Sequence, residues 1–357
     1  MIEEAVSRRT LLRGGIVMGA AGLLAACSSG GSSTKTANGA SVTSMTAGWS
    51  TASGGTGPLW IGVDQGIFTK YGLNVSLVES GSTASATAVV AGKAQVYYGE
   101  ATSAFQAVAQ NQPVEIVGTF RDYNFFYFLA GPGIKSASEL AGKTIAISSV
   151  GDSTDLSTRN ALQQLGVNVN DVTLLATGTS SAREAALLTG KVAATLLTNP
   201  SASQAVAKGC KILVDQTKEL FIGSAVVISK SYGQENPGAV VSFLKGMVEA
   251  VKFYDTPANK QTVLNIFAKY FALKPNDPTV LANYQQYAPA GALSRDPYPN
   301  AAGGNAIVSA LKSESSSQYA ALTLDKVYNY TFAQQLRSTG FLTSTWGNQL
   351  NVGAGTN

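Results

Sequence analysis

The residues able to do chemistry in this chain sit in short polar loops. Each loop follows an apolar run and precedes a helical pattern or a change of direction. They read "WSTASGGTG" (49–57), "SGSTA" (80–84), "GEATS" (99–103), "RDYN" (121–124), "VGDSTD" (150–155), "TGTSS" (177–181) and "TNPS" (198–201). The chain has no histidine, which removes the commonest general base and the commonest metal ligand. It has no G-x-S-x-G elbow and no Walker A lysine motif, so neither serine hydrolysis nor nucleotide hydrolysis finds its parts. No cofactor or metal is expected. What remains is holding a ligand rather than converting it. Free N–H groups at a helix start attract a negative group, by about 0.3–1 kcal/mol per terminus and up to about 2 when partly buried. Ser50, Thr51, Ser82, Thr83, Ser153, Thr154, Thr179 and Asn199 are the candidate hydrogen-bonding residues, with N-capping as the alternative role of Ser, Thr and Asp side chains in such loops.

Charges refine the picture. Glu100 offers a carboxylate to an amine or aminopyrimidine; the alternative is an exposed helix-start acid. Arg121 can pair bidentately with a carboxylate or sulfonate, or enter an ordinary salt bridge. Asp122 and Tyr123 follow it where a strand hands over to the next segment. Trp49, Tyr123, Phe125 and Phe126 offer an aromatic wall, with core packing as the competing role. Arg159 and Arg183 lie inside helical patterns and read as structural. Asp152 and Asp155 bring negative charge to one helix start, and Glu100 and Asp122 are expected to face them. A bare anion such as nitrate would be repelled there. The expectation is a zwitterionic, amine-bearing or neutral polar ligand, with Ser153 and Thr154 in direct contact and Asp152 as a cap.

The elements that must position these loops alternate. Strand-like runs occur at "MTAGW" (45–49), "NVSLVES" (74–80), "AQVYYG" (94–99), "VEIVGTF" (114–120), "TIAISS" (144–149), "VTLLAT" (172–177), "VAATLLT" (192–198) and "KILVD" (211–215), with helical patterns between most of them. Alternation of this kind implies an α/β fold with mainly parallel sheets flanked by helices, whose ligands bind at the carboxyl ends of strands. A near-repeat runs from Gly81 ("GSTASATAVVAGKAQVYYGEATSAFQAV") and from Gly178 ("GTSSAREAALLTGKVAATLLTNPSASQAV"). It implies two lobes of equivalent architecture or, more blandly, two ordinary βαβ units. After "FIGSAVVISK" (221–230) the sequence turns helical, with Val240, Phe243, Leu244, Met247, Val251 and Tyr254 at helical spacing.

The N-terminus reads as an address. "SRRTLLR" (7–13) precedes an uncharged stretch at 14–26, too short to span a bilayer, and the pattern is that of a twin-arginine export signal. "LAAC" (24–27) resembles the lipobox of bacterial lipoproteins, which implies cleavage before Cys27 and lipidation there. Residues 28–41, rich in Gly, Ser and Thr, read as a tether. Cys210 is left as a small buried side chain with no disulfide partner. The net charge of +4 is small for 357 residues and no Lys/Arg-rich run occurs, so no nucleic-acid partner is expected.

Three stretches, "PLWIGVDQGIFTKYGLNVSLV" (58–78), "GIKSASELAGKTIAIS" (133–148) and "REAALLTGKVAATLLTNP" (183–200), resemble the periplasmic substrate-binding proteins of ABC importers. The branch is the one handling sulfonates, taurine, nitrate and thiamine-pyrimidine precursors. The resemblance implies a two-lobed type II periplasmic binding protein fold with two hinge crossovers, near 125–130 and 221–227. Its implied organisation is a signal peptide at 1–26, a tether at 27–45, lobe one at 46–128 and 226–357, and lobe two at 129–225. It places Glu100 in the cleft. It implies a monomeric receptor, anchored through Cys27 at the outer face of the membrane, that passes a small polar organic molecule to a permease with its ATPase subunit. A thiamine-precursor-like pyrimidine is the alternative ligand. An enzyme on the same fold is the rival reading, but the pyrimidine-synthesising relatives depend on histidine.

Overall fold

A computed structural model describes residues 33–35, 41–49, 52–79, 85–199, 201–288 and 292–350. The export signal, Cys27, Ser50, Thr51, Ser82 and Thr83 lie outside the described residues. The chain opens with β1 (Ser33–Lys35), β2 (Ser41–Trp49), α1 (Gly57–Asp64), α2 (Ile67–Lys70), β3 (Leu73–Glu79), α3 (Ser85–Val90), β4 (Val96–Gly99), α4 (Thr102–Ala109) and β5 (Val114–Tyr123). It continues through β6 (Tyr127–Ala130), β7 (Thr144–Ile147), α5 (Ser153–Gln164), β8 (Thr173–Ala176), α6 (Ser180–Leu188), β9 (Ala194–Leu197), α7 (Ser201–Ala207), β10 (Lys211–Asp215) and β11 (Leu220–Ser229). Helices then follow: α8 (Lys230–Glu235), α9 (Pro237–Asp255), α10 (Lys260–Phe271), α11 (Pro278–Tyr287), α12 (Ala301–Glu314), α13 (Leu324–Val327), α14 (Thr331–Ser338) and α15 (Phe341–Trp346).

The strands form two sheets. The first runs β3-β2-β4-β11-β5, with β1 paired to the start of β2. The second runs β8-β7-β9-β6-β10. Each has a parallel half (β3-β2-β4 and β8-β7-β9) and an antiparallel half. The sheets are therefore mixed, where alternation alone suggested mainly parallel ones. The reason is how the chain changes sheet. It leaves the first sheet along the edge strand β5 and enters the second beside β9. It leaves the second along the edge strand β10 and returns beside β4. A returning strand runs antiparallel to its new neighbours.

The crossovers sit at 124–126 and 216–219, slightly before the expected 125–130 and 221–227. Phe128, Leu129 and Ala130 are wholly buried strand residues, and β11 is buried along nearly its whole length. Both segments are therefore sheet interior, and the connecting backbone is confined to the residues before them. The two crossovers are bonded side by side. Asn124 N–H donates to the Glu219 carbonyl at 2.9 Å, and Gln216 N–H donates to the Phe126 carbonyl at 3.1 Å.

β2 begins at Ser41, inside the segment read as tether, because Met45 and Ala47 are buried, its first residues pair with β1 and Thr43–Trp49 pair with β3. Helix α9 behaves as its spacing requires: Val240, Phe243, Leu244, Met247, Val251 and Tyr254 are all fully buried against the first sheet's core. Phe243 stacks on Phe68 with ring centroids 5.0 Å apart. Trp49 turns inward and packs edge-on against Trp60 and Tyr270, so it belongs to the core rather than to a cleft wall. Phe126 likewise enters the second sheet's core. Cys210 is buried and unpaired. Among the described residues, no helix is long and apolar enough to cross a membrane.

Candidate functional site

The carboxyl end of β4 meets the carboxyl end of β7 around a cavity of about 260 Å³. Glu100, Ser103, Gln106 and Gln110 line it from one side, and Val150 and Asp152 from the other. These residues come from different sheets, so the cavity lies between the two halves of the fold. Gln106 crosses it, its Nε2 donating to the Gly151 carbonyl at 2.7 Å. Val150 stands 71% exposed at the rim, an unusual position for a valine.

Glu100 is the charged residue of the first wall. One carboxylate oxygen accepts from the Thr102 N–H at 2.9 Å, a local cap on the start of α4. Burial pushes its carboxyl up to about 7. Bonds from Thr102 and Ser103 oppose that rise, and the nearby Asp152 charge adds to it. Burial therefore disfavours the charged form of this carboxyl.

The opposite wall is a self-contained network. Asp152 caps α5, accepting from Thr154 N–H at 2.9 Å and Asp155 N–H at 3.1 Å. Thr154 donates its hydroxyl to Asp152 at 2.6 Å and accepts from Ser148 N–H at 2.8 Å. The Ser148 hydroxyl closes the ring on the other Asp152 oxygen. Asp155, wholly buried, accepts from Gly151 N–H at 2.7 Å and pairs with Arg159 at 2.7 Å. The hydroxyl of Thr154, expected to meet a ligand directly, is thus occupied by its own loop. Ser153 opens α5 and is buried beside it. Gly151 has φ +77°, a conformation glycine adopts without strain, and it lets this loop fold back on itself.

The remaining candidates spread over three places. Thr179 caps α6, accepting from Ala182 N–H at 3.3 Å, and is exposed. Asn199 accepts from the Ser203 hydroxyl at 2.8 Å. Asp122 turns toward Thr119 and Asn300 at the start of α12, not into the cavity; burial raises its carboxyl, and one of its oxygens has no partner among the described residues. It therefore adds nothing to the negative wall that Glu100 and Asp152 make. Arg121 and Tyr123 lie at the first crossover. Arg121 donates from Nε to the Tyr123 carbonyl and from Nη2 to the Asn124 carbonyl, both at 3.0 Å. Arg183 is buried and donates to the carbonyls of Gly178 (2.5 Å) and Leu196 (3.3 Å), which agrees with a structural role.

Residues of the cavity and of the turn at Gly54 escaped the sequence reading. Gln106 and Gln110 share a polar face of α4 with Ser103, at i, i+3 and i, i+4 spacing, while Ala104, Phe105 and Ala107 are buried. That face was readable. Asn283 and Tyr287 of α11 were not. Asn283 Oδ1 accepts from Gly54 N–H at 3.0 Å across 229 residues of chain. A Cβ on Gly54 would lie 2.5 Å from the Tyr287 ring, so this turn needs glycine. Among the described residues, no group of three His, Cys, Asp or Glu side chains is placed to hold a metal.

Comparison with known proteins places this geometry. A search of curated protein sequences returns no match. Among solved structures, the periplasmic aliphatic sulphonate binding protein SsuA from Escherichia coli is similar, with a TM-score of 0.64 and 19% identity over 80% of this chain and 92% of that one. The periplasmic nitrate-binding protein NrtA from Synechocystis PCC 6803 also has a TM-score of 0.64, at 16% identity over 87% and 91%. The alkanesulfonate-binding protein SsuA from Xanthomonas axonopodis pv. citri, bound to MOPS, scores 0.61 at 17% identity over 80% and 98%. A desulfurization enzyme, DSZB, shares the fold at 0.57 and 15% identity over 83% and 99%. These likenesses establish the periplasmic binding protein fold. The NMT1/THI5-like family model matches residues 55–258, more than half of the chain, and the protein belongs to that family.

Proposed function

We propose that this protein is the lipid-anchored solute receptor of an ABC importer. It closes two lobes around a small polar organic molecule, sulfonate- or taurine-like or amine-bearing, and delivers it to a permease served by an ATPase subunit. Lobe one comprises 46–128 and 226–357, and lobe two 129–225, with the paired crossovers as the hinge. Export through the twin-arginine signal and lipidation at Cys27 hold the receptor at the outer face of the membrane. It acts as a monomer and without catalysis.

One observation carries this reading. The ≈ 260 Å³ cavity opens between strand ends of the two sheets and is lined by amides, hydroxyls and two carboxylates. Strand-end clefts in open α/β folds are where ligands bind. Its lining contains neither histidine nor lysine, so it suits retention rather than proton transfer or covalent capture. A ligand shifts the open–closed equilibrium only by binding the closed form better, and bonds from both walls supply that difference. A second reading, an aminopyrimidine, is favoured by the Glu100 carboxyl standing beside amide side chains in the cavity lining.

A thermal-shift screen over sulfonates, taurine, nitrate, carboxylates and pyrimidines tests the function. A ligand at 100 times its Kd stabilises by about 2.7 kcal/mol. Absence of a shift with every small solute would sink the receptor reading. Cell fractionation of Cys27→Ala tests the anchor: release from the membrane is expected, and unchanged retention refutes lipidation there.

A further inference from the structure

Both crossovers are bonded to one helix of the second half. Asn124, 1% exposed, donates from Nδ2 to the Ser157 hydroxyl on α5 at 3.0 Å. Its Oδ1 accepts from the N–H groups of Phe125 at 2.8 Å and Phe126 at 3.2 Å. From the other crossover, the wholly buried Gln216 donates from Nε2 to the Ser157 carbonyl at 2.9 Å. The Glu219 carboxylate accepts from Asn160 Nδ2 at 2.8 Å and from Gln164 Nε2 at 2.6 Å. Ser157, Asn160 and Gln164 stand at i, i+3 and i+7, on one face of α5. Together with the backbone bonds that join the crossovers to each other, these contacts leave 124–126 and 216–219 little freedom to turn. The same helix begins at the cavity, where Asp152 caps it and lines the second wall.

The first half takes hold of the chain just outside this region. Phe221 and Ile222 are buried in one core with Phe105 of α4 and Ile307 of α12, and the Ile222 carbonyl accepts from Ala101 N–H at 3.3 Å. Between the two grips lies the pair Tyr123–Leu220, where Leu220 is 42% exposed. The ladder beside this pair is irregular. The next pair is Arg121–Ser224, two residues away along β5 but four away along β11. Such a bulge leaves residues out of register and bends the strand. The Arg121 side chain reaches over the pair to the carbonyls of Tyr123 and Asn124, and its rotatable stem can follow a bend.

We propose that 124–126, 216–219 and α5 move as one body with the second half, and that the halves pivot at the Tyr123–Leu220 pair. The crossovers are then arms rather than joints, and Asn124 and Gln216 are positioning residues that fix those arms to α5. A displacement of the cavity wall at Asp152 passes along α5 to the pivot with no soft segment between. A hinge needs only a few element-terminal residues to absorb the backbone change, and a strand pair beside a bulge supplies them. This joint narrows the hinge of the receptor reading, on which it rests.

Amide NMR on the full, ligand-free chain tests it. Residual dipolar couplings of the amides at 124–126 and 216–219 should fit the alignment of α5 and β7, and depart from that of β4 and α9. Their order parameters should match those of α5, at about 0.85. Couplings that fit the first half, or order parameters below about 0.6, put the bend inside the crossovers and overturn the proposal. A single alignment for the whole chain shows no pivot and overturns it as well; the thermal-shift screen then decides the receptor reading by itself. A blank screen with two alignments does the reverse: it overturns the receptor reading and leaves the pivot. Asn124→Ala removes the bonds to Ser157 and to the Phe125 and Phe126 N–H groups. It should lower the order parameters at Gln216 and Glu219 as well as at Phe125 and Phe126. A loss confined to Phe125 and Phe126 separates the crossovers and overturns the single body. If Asn124→Ala does not fold, Ser157→Ala, which removes only the hydroxyl acceptor, and the wild-type couplings decide.

Discussion

The two sheets have the same strand order and opposite habits at their rims. In each, a parallel trio is followed by a strand that has crossed from the other half, and then by an antiparallel edge. The near-repeat at Gly81 and Gly178 maps onto corresponding elements: α3, β4 and α4 in one half, and α6, β9 and α7 in the other. Yet the loop after β4 offers an acid whose carboxyl burial pushes up, while the loop after β9 offers only Thr198 and Asn199. The loop before α5 carries two aspartates, but it spends them on its own backbone and on Arg159. One half therefore presents reactive polarity to the cavity, and the other presents a rigid, internally bonded wall. A shared scaffold leaves the loops free to divide those tasks.

The strongest way to separate the halves is to weaken one core. All three tryptophans, Trp49, Trp60 and Trp346, pack in the core on the first sheet, while Phe128 is fully buried in the second. Phe128→Ala is expected to cost about 3–5 kcal/mol. Because only two short crossovers join the halves, its far-UV circular dichroism should fall at lower urea than its tryptophan fluorescence. Coincident transitions would show that the halves unfold as one cooperative unit.

The next effect concerns the rim acid. Folding raises the Glu100 carboxyl to about 7, so between its unfolded value and 7 the folded state binds more protons than the unfolded one. Stability from this group therefore declines as pH rises from about 4.5 to 7 and stays lowered above that. Glu100→Gln keeps an acceptor for Thr102 N–H and removes the titration. It should be more stable than wild type by about 2 kcal/mol at pH 8 and equal to it near pH 4.5, read from urea midpoints. An equal difference at both pH values would remove Glu100 from the buried rim. The smallest effect is expected from Gln106→Ala, which deletes the one bond seen from α4 to the Gly151 carbonyl. A cost of about 0.5–1.5 kcal/mol is expected, with a larger radius of gyration in the ligand-free protein. An unchanged radius would mean that this bond does not restrain the halves.

Local patterns were legible because they are local. The six apolar residues of α9 at helical spacing all reached the core, and the loops before helices were found by their glycine, hydroxyl and acid content. Asp152 as a cap followed from the same chemistry. Trp49 and Phe126 were not assignable, since an aromatic residue near a strand end looks the same whether it faces a cleft or a core. The direction in which Asp122 turns depends on Asn300, far along the chain, and no spacing rule connects them.

What the sequence by itself determined is the alternation of strands and helices, the absence of histidine chemistry, and the polar loops at strand ends. These follow from side-chain period and residue type within ten or so neighbours. Only the tertiary structure decided the mixed sheets, because β11 must travel the length of the second half before it pairs between β4 and β5. It alone decided that Thr154 serves its own loop and that Tyr287 closes over Gly54. It alone left Arg121 buried without a carboxylate partner among the described residues. Whether a charge is paired is set by which strands become neighbours, and that is a property of the packed sheet.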